Sequence, residues 1–247
     1  MVRHEACKKT EEASIPHYNQ LTKRHQQIMD EAIAIDPTYA YPYWEKSFAY
    51  LKSGDFLTWK KLIDKVVELE PKEYLGYRGW CRYQFFRDYE GAIADIEKLD
   101  EMVDHEIGFA QNGDYHLNIA KAICYKALGQ KEKALEVMEN QLALKDHFLG
   151  AYDYFHLGVL YLETGQMEKA LVAFEKQNEE NALAENNYYW ALAHKAAGNN
   201  KAYKAKLEEA ITLYKGQRNL FDNYTHHADK VFLSDIENEL NLENSNK

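Results

Sequence analysis

The sequence predicts an all-α chain in which helix-turn-helix units repeat, stack side by side and end in a capping helix. Three observations predict it. A frame recurs along the chain: a small residue, Tyr or His three places on, glycine seven places on, then alanine followed four residues later by an apolar side chain. Its turn positions, 54, 87, 129, 165 and 198, are spaced by 33, 42, 36 and 33 residues. Only four prolines interrupt the 247 residues, and 46% of them are hydrophobic, so long helices and a packed core are both compatible with the composition.

Each element has its own reason. Residues 1–17 read as an N-terminal extension or tether, with Pro16 where a partner helix should run. Residues 18–39 read as a half repeat, with Leu21, Ile28, Ala32 and Ile35 on one stripe that stops at Asp36-Pro37. The first full repeat, about 40–73, has Ser47, Tyr50, Gly54, Val66 and Pro71 in frame. The second, about 73–106, is a weaker copy: Tyr83, Arg87 and Ala92 fit, but Trp80 stands where a small residue is expected. Residues 103–114 hold two glycines and several polar residues, and read as a lengthened connection or as a lip on a binding surface. Repeats at 115–148 (Ala122, Tyr125, Gly129, Ala134, Met138), 151–184 and 184–217 (Ala191, His194, Gly198, Ala210) follow. A capping helix is expected over 218–240, with Val231, Phe232, Ile236 and Leu240 facing in, before a polar tail at 241–247.

The frame has a physical basis. The small residue lets the paired helix approach, and the Tyr lies three residues on along the same face. The turn glycine adopts the left-handed conformation without a Cβ penalty.

The segment 151–184 is the best copy, with Tyr154-x2-Leu157-Gly158-x2-Tyr161, then Gly165 and Ala170-x3-Phe174. It resembles the tetratricopeptide repeat family, whose period is about 34 residues. The resemblance covers roughly residues 18–217 and implies a right-handed α-solenoid whose first helices line a concave groove. Trp59 and Tyr203 stand where that family usually has alanine, which implies that those two helix pairs are spread or shifted.

The resemblance also implies a partner-binding surface. Its slots carry Tyr41, Trp44 and Phe48, then Tyr74, Tyr77, Arg78 and Phe85. Further along they carry His116, Ile119 and Lys126, then Tyr152, Phe155 and His156, and finally Tyr188, Tyr189 and Lys195. Aromatics of this kind dominate binding hot spots, so the expected ligand is an extended or helical segment of another protein. The slots at which chaperone-binding relatives clamp a terminal carboxylate hold Trp44, Phe48, Arg78, His116 and Ala120; only Arg78 suits that role, and chaperone co-factor activity is not expected. Lys52, Arg78, Lys126 and Lys195 make the surface less acidic than the whole and suit a partner with some negative charge.

Other classes are disfavoured. The formal net charge of −10 repels nucleic acid and anionic membrane surfaces. No apolar run is long enough to span a membrane. Cys7, Cys81 and Cys124 suggest neither a disulfide framework nor a zinc cluster, and a cytoplasmic location is the default expectation. Cys7-Lys-Lys-Thr-Glu-Glu also resembles the start of a mature lipoprotein, which would give a periplasmic, membrane-tethered assembly factor if the N-terminus is truncated. Neither His226-His227 nor Asp104-His105-Glu106 converges on one metal, and no phosphate loop or nucleophile elbow occurs. No enzyme, metal or cofactor is expected. A ligand-sensing regulator and self-association through the aromatic surface remain as alternatives to protein binding.

Overall fold

All five turn positions have a left-handed backbone in the structure, a computed structural model describing residues 1–14, 19–145 and 148–245, the last three as backbone alone. φ is 82° at Gly54, 55° at Arg87, 77° at Gly129, 76° at Gly165 and 73° at Gly198. Helices pair across the four glycine turns, and the described residues contain thirteen α-helices and no strand. The fold is an all-α tetratricopeptide-type solenoid, and the chain divides into two compact units.

Unit 1 comprises Met1–Arg78 and Lys98–His105. It contains α1 (Val2–Glu11), α2 (Lys23–Ile35), α3 (Ala40–Ser53), α4 (Phe56–Leu69) and the start of α5 (Pro71–Cys81). The N-terminal residues differ from a tether: α1 packs against α2, burying Ala6 and Thr10, while Arg3 Nε donates to Asp36 Oδ2 at 2.6 Å. With few apolar residues α1 has almost no hydrophobic stripe, which hides it from periodicity. Pro16 lies outside the described residues. α2 starts at Lys23, where Thr22 caps it by accepting from His25 N. Leu21 is consequently exposed, and His25 and Met29 join Ile28 and Ala32 in the core. Trp59 is buried, and α3 and α4 remain in close contact rather than spread apart.

Unit 2 comprises Gly79–Glu97 and Glu106–Lys247. Here α5 ends in a π-helical turn, Arg82–Phe86, before α6 (Tyr89–Met102). This turn explains the weak second copy. The close-approach residue is Gly79, not Trp80: a Cβ at Gly79 would lie 3.1 Å from Ile96 Cγ1 and 3.3 Å from Ala92 O. Gly79 therefore stands one place too far from its turn at Arg87, and the wide π turn absorbs the extra residue. The remaining pairs are α7 (Leu117–Ala127) with α8 (Lys131–Leu142), α9 (Asp153–Glu163) with α10 (Met167–Glu180), and α11 (Ala184–Ala196) with α12 (Asn200–Lys215).

Gly158 and Phe174 show why the small slot matters. A Cβ at Gly158 would fall 2.5 Å from the Phe174 ring, which is fully buried between α9 and α10. Tyr203 likewise does not pry its pair open. Its ring packs into a core with Ala184, Ala191, Leu207, Val231 and Ile236, and its hydroxyl donates to Glu239 Oε1 at 2.6 Å. Glu239 lies on α13 (Leu233–Ser245), which packs against α12.

The C-terminal helix is shorter than residues 218–240 suggest. Residues 216–232 form no helix, because Asp222 Oδ1 accepts from Tyr224 N and Thr225 N in a turn of its own. Val231 and Ile236 are buried, but Phe232 is exposed. Among the described residues no helix is long and apolar enough to cross a membrane.

Candidate peptide-binding groove

In unit 1, Tyr41, Trp44 and Phe48 recur at helical spacing and share one face of α3. Trp44 meets Phe48 at 4.8 Å between ring centroids and Tyr77 at 5.9 Å, both edge-on, and Tyr74 at 5.8 Å. Tyr74 and Tyr77 are buried beneath this layer, while Tyr41, Trp44 and Phe48 are half-buried. Burial, then the neighbouring Glu45, pushes the Tyr41 phenol up to about 12. Arg78 Nη1 bonds Asp64 Oδ1 at 2.9 Å.

In unit 2 the corresponding face is occupied by the chain itself. Residues 216–232 leave α12, cross the first helices and return to α13. Leu220 N donates to Glu185 Oε2 at 3.0 Å at the start of α11. Thr225 Oγ1 donates to Gln84 O at 2.8 Å, and the Arg87 guanidinium donates to His226 O, both at the end of the π turn. On the way back, His227 Nδ1 lies 3.2 Å from the hydroxyl of Tyr115, just ahead of α7. Asp229 then receives Lys126 Nζ at 2.5 Å from α7 and His156 Nδ1 at 2.8 Å from α9. Lys230 Nζ lies 3.5 Å from Glu185 Oε1.

The electrostatics follow from burial. Burial alone would raise the Asp229 carboxyl, but the His156 hydrogen bond and the Lys126 charge outweigh it and hold the group at about 2. Burial raises the Glu185 carboxyl, which the Leu220 N–H and Lys230 offset only in part. Burial first, and His156 second, lowers the His227 imidazole below its usual value. A carboxylate only accepts, so His156 donates from Nδ1, and its Nε2 lies 3.1 Å from the Tyr115 hydroxyl. A cavity of about 320 Å³ opens beside this cluster, lined by Arg87, Tyr89, Ile123, Lys126, Glu163 and Asp229 among others.

The family model for the tetratricopeptide repeat matches residues 154–182, the helix pair that carries His156 and Gly158. Those residues are similar to a tetratricopeptide repeat. A TPR repeat-containing protein, MJ1428 of Methanocaldococcus jannaschii, is 25% identical over 206 residues, covering 80% of this chain and 30% of that protein. The chain thus spans about a third of that relative's length. Among solved structures, the type IV pilus biogenesis factor PilW matches with a TM-score of 0.66 at 17% identity, over 87% of this chain and 94% of that one. PilF of Pseudomonas aeruginosa matches at 0.64 and 13% identity, over 87% and 93%. At these identities the likeness is one of fold.

Within the tetratricopeptide frame, the expected site residues separate into groups. Tyr152, Tyr188 and Tyr189 are half-buried; Tyr152 lies edge-on to His227 at 5.5 Å, and Tyr189 meets the Phe155 ring at 5.9 Å. Phe85 is half-buried against Trp80 at 5.6 Å. Ile119 and Phe155 are 0% exposed, so they pack within the solenoid and present nothing to a partner. His116 is equally buried; its Nδ1 accepts from Asn118 N as the cap of α7, and its Nε2 lies 3.0 Å from Glu106. Lys126 and Lys195 are paired with carboxylates of the C-terminal residues, Asp229 and Glu239.

Tyr115, Glu185, His227 and Asp229 were not among the expected residues. Tyr115 is delivered by the 103–114 insertion, whose backbone closes on itself through Ala110 N to Tyr115 O and Leu117 N to Gly108 O, both 2.9 Å. The signal available was position: an insertion that ends in Tyr-His immediately before a first helix.

Proposed function

We propose that this tetratricopeptide protein is a non-enzymatic scaffold that holds an extended segment of another protein against its first helices. Proteins of this architecture are interaction scaffolds, and the finer reading rests on one observation. The first-helix slots of unit 2 already hold a non-helical stretch of polypeptide, through paired charges and hydrogen bonds to its backbone. A surface that solves this problem for its own chain has the chemistry to solve it for another.

A catalytic reading has one point in its favour: Tyr115, His156 and Asp229 are connected in the order hydroxyl, imidazole, carboxylate. Two facts weigh against it. Tyr115 is 0% exposed, and burial raises its phenol well above the usual value, so the hydroxyl is neither reachable nor ionisable near neutral pH.

Cross-linking of the intact chain in extract of its source cell, with the linked residues mapped by mass spectrometry, tests the scaffold reading. Links should fall beside α3, α5, α7 and α9 and decline for a Trp44→Ala/Phe48→Ala chain that retains its helical circular dichroism. Links confined to α4, α8, α10 and α12, unchanged in the variant, would refute it.

A further inference from the structure

Residues 216–232 make a detour that connectivity does not require. The helices they join, α12 and α13, pack against each other, and the turn between α9 and α10 needs only residues 164–166. Connections beyond about 12–15 residues without secondary structure are usually functional in compact domains. This one runs from α11 as far as Arg87 and back, touching the π turn, α7, α9 and α11.

Its manner of attachment is that of a ligand rather than of a core element. The buried apolar side chains of the segment are Leu220 and Val231, one at each end. Between them the hydrogen bonds and ion pairs inward join Thr225, His227, Asp229 and Lys230 to Gln84, Tyr115, Lys126, His156 and Glu185, with His227 also edge-on to the Tyr152 ring. Phe221 is 69% exposed and turns away from the face that is covered. Polar contacts of this kind exchange for equivalent ones at little net cost, whereas apolar anchors do not. The receiving groups stand on helices: His156 on α9, Glu185 on α11, and Lys126 on α7 with Glu163 at 3.0 Å as a second partner. The 320 Å³ cavity beside Asp229 leaves room at this point for an incoming side chain between Arg87 and Lys126.

We propose that residues 220–231 are a displaceable internal ligand, and that the face beneath them binds a partner's non-helical segment bearing an adjacent carboxylate and ammonium. The proposal rests on the scaffold reading and adds the ligand chemistry. The partner's carboxylate takes the place of Asp229 between Lys126 and His156. Its ammonium takes the place of Lys230 at Glu185, and its backbone N–H that of Leu220. Access to the site is governed by release of the internal segment.

A fluorescein-labelled peptide with the sequence of residues 220–231 tests this by anisotropy against the wild-type chain and the full-length Asp229→Ala/Lys230→Ala chain. The variant should bind it at least about tenfold more tightly, since occupancy by the internal segment scales down apparent affinity. The same peptide with its own Asp-Lys pair changed to Ala-Ala should lose that binding. Equal affinity for both chains, or no binding to a variant whose residues 220–231 exchange their amide hydrogens freely, overturns the proposal. If the variant does not fold, the wild type alone decides: excess peptide should speed exchange in residues 220–231 but not in α9. Unchanged exchange means a fixed part of the fold and also overturns it. In either failure, cross-links to α3 that depend on Trp44 would leave the scaffold reading standing.

Discussion

His156 on α9 and Asp229, 73 residues later, meet at 2.8 Å between Nδ1 and Oδ2, with Lys126 of α7 on the other carboxylate oxygen at 2.5 Å. The carboxylate thereby links two repeats through a residue that belongs to neither.

Removing that carboxylate has a defined expectation. Asp229→Ala leaves Lys126 and His156 facing an empty position, and breaking one side of a buried pair costs up to about 3–5 kcal/mol. The loss should be concentrated in residues 220–231, seen as faster amide exchange there, with the helical circular dichroism of α7 to α10 retained. Lys126→Met should give the same pattern more weakly, because His156 still holds Asp229.

Docking of residues 220–231 should depend on pH through two groups of opposite sign. His227 is held neutral when docked, so its contribution is complete above its free value of about 6.5 and declines as pH falls through it. Tyr115, His156, Asp222 and Lys230 surround it. Asp114 behaves the other way. Burial first, and Asp222 second, raises its carboxyl to about 6, so protonation below that pH favours the docked state. In an Asp114→Asn chain, exchange in residues 220–231 should accelerate, after correction for intrinsic rates, between pH 7 and 5.5. In a His227→Gln chain it should slow. Asp229, held at about 2, adds a further loss of docking only as pH falls from about 4 toward 2.

Gly158→Ala should destabilise unit 2 by about 1–3 kcal/mol, because the new methyl lies 2.5 Å from the buried Phe174 ring. Urea titration measures this. Combining it with Phe174→Leu should recover part of the loss, as expected for two residues sharing one space.

Gly165→Ala should cost about 1–2 kcal/mol for a different reason. Its backbone lies at φ 76°, with nothing within 4 Å of the position a Cβ would take, so the penalty is conformational and no second substitution nearby rescues it. A pairing of Gly165→Ala with Phe174→Leu should therefore be additive in urea.

The fold was legible because its turns are covalently marked. A glycine at φ near 75° announces a helix end wherever it falls, and a small residue seven places earlier announces the close approach that Gly158 makes to Phe174. Where the mark was displaced, reading faltered: the π turn at Arg82–Phe86 moved the close approach from Trp80 to Gly79. α1 escaped because a helix with so few apolar residues leaves no stripe. The site was less legible for a stronger reason. Lys126 and His156 lay in plausible slots, but what faces them is set by residues 216–232, which have no periodicity and whose path depends on contacts such as those from Lys230 to Glu185 and from Thr225 to Gln84, 45 and 141 residues apart in sequence. No local pattern encodes such a path.

Both ends of that path are tied to the chain, at Lys215 and Leu233. An attached occupant has a fixed effective concentration, on the order of millimolar for short flexible tethers. Dilution that would empty a complex of two separate molecules leaves this one filled, whether the cell holds many copies or few. A partner must therefore win on contact quality or on its own local abundance, which turns a permissive surface into a discriminating one.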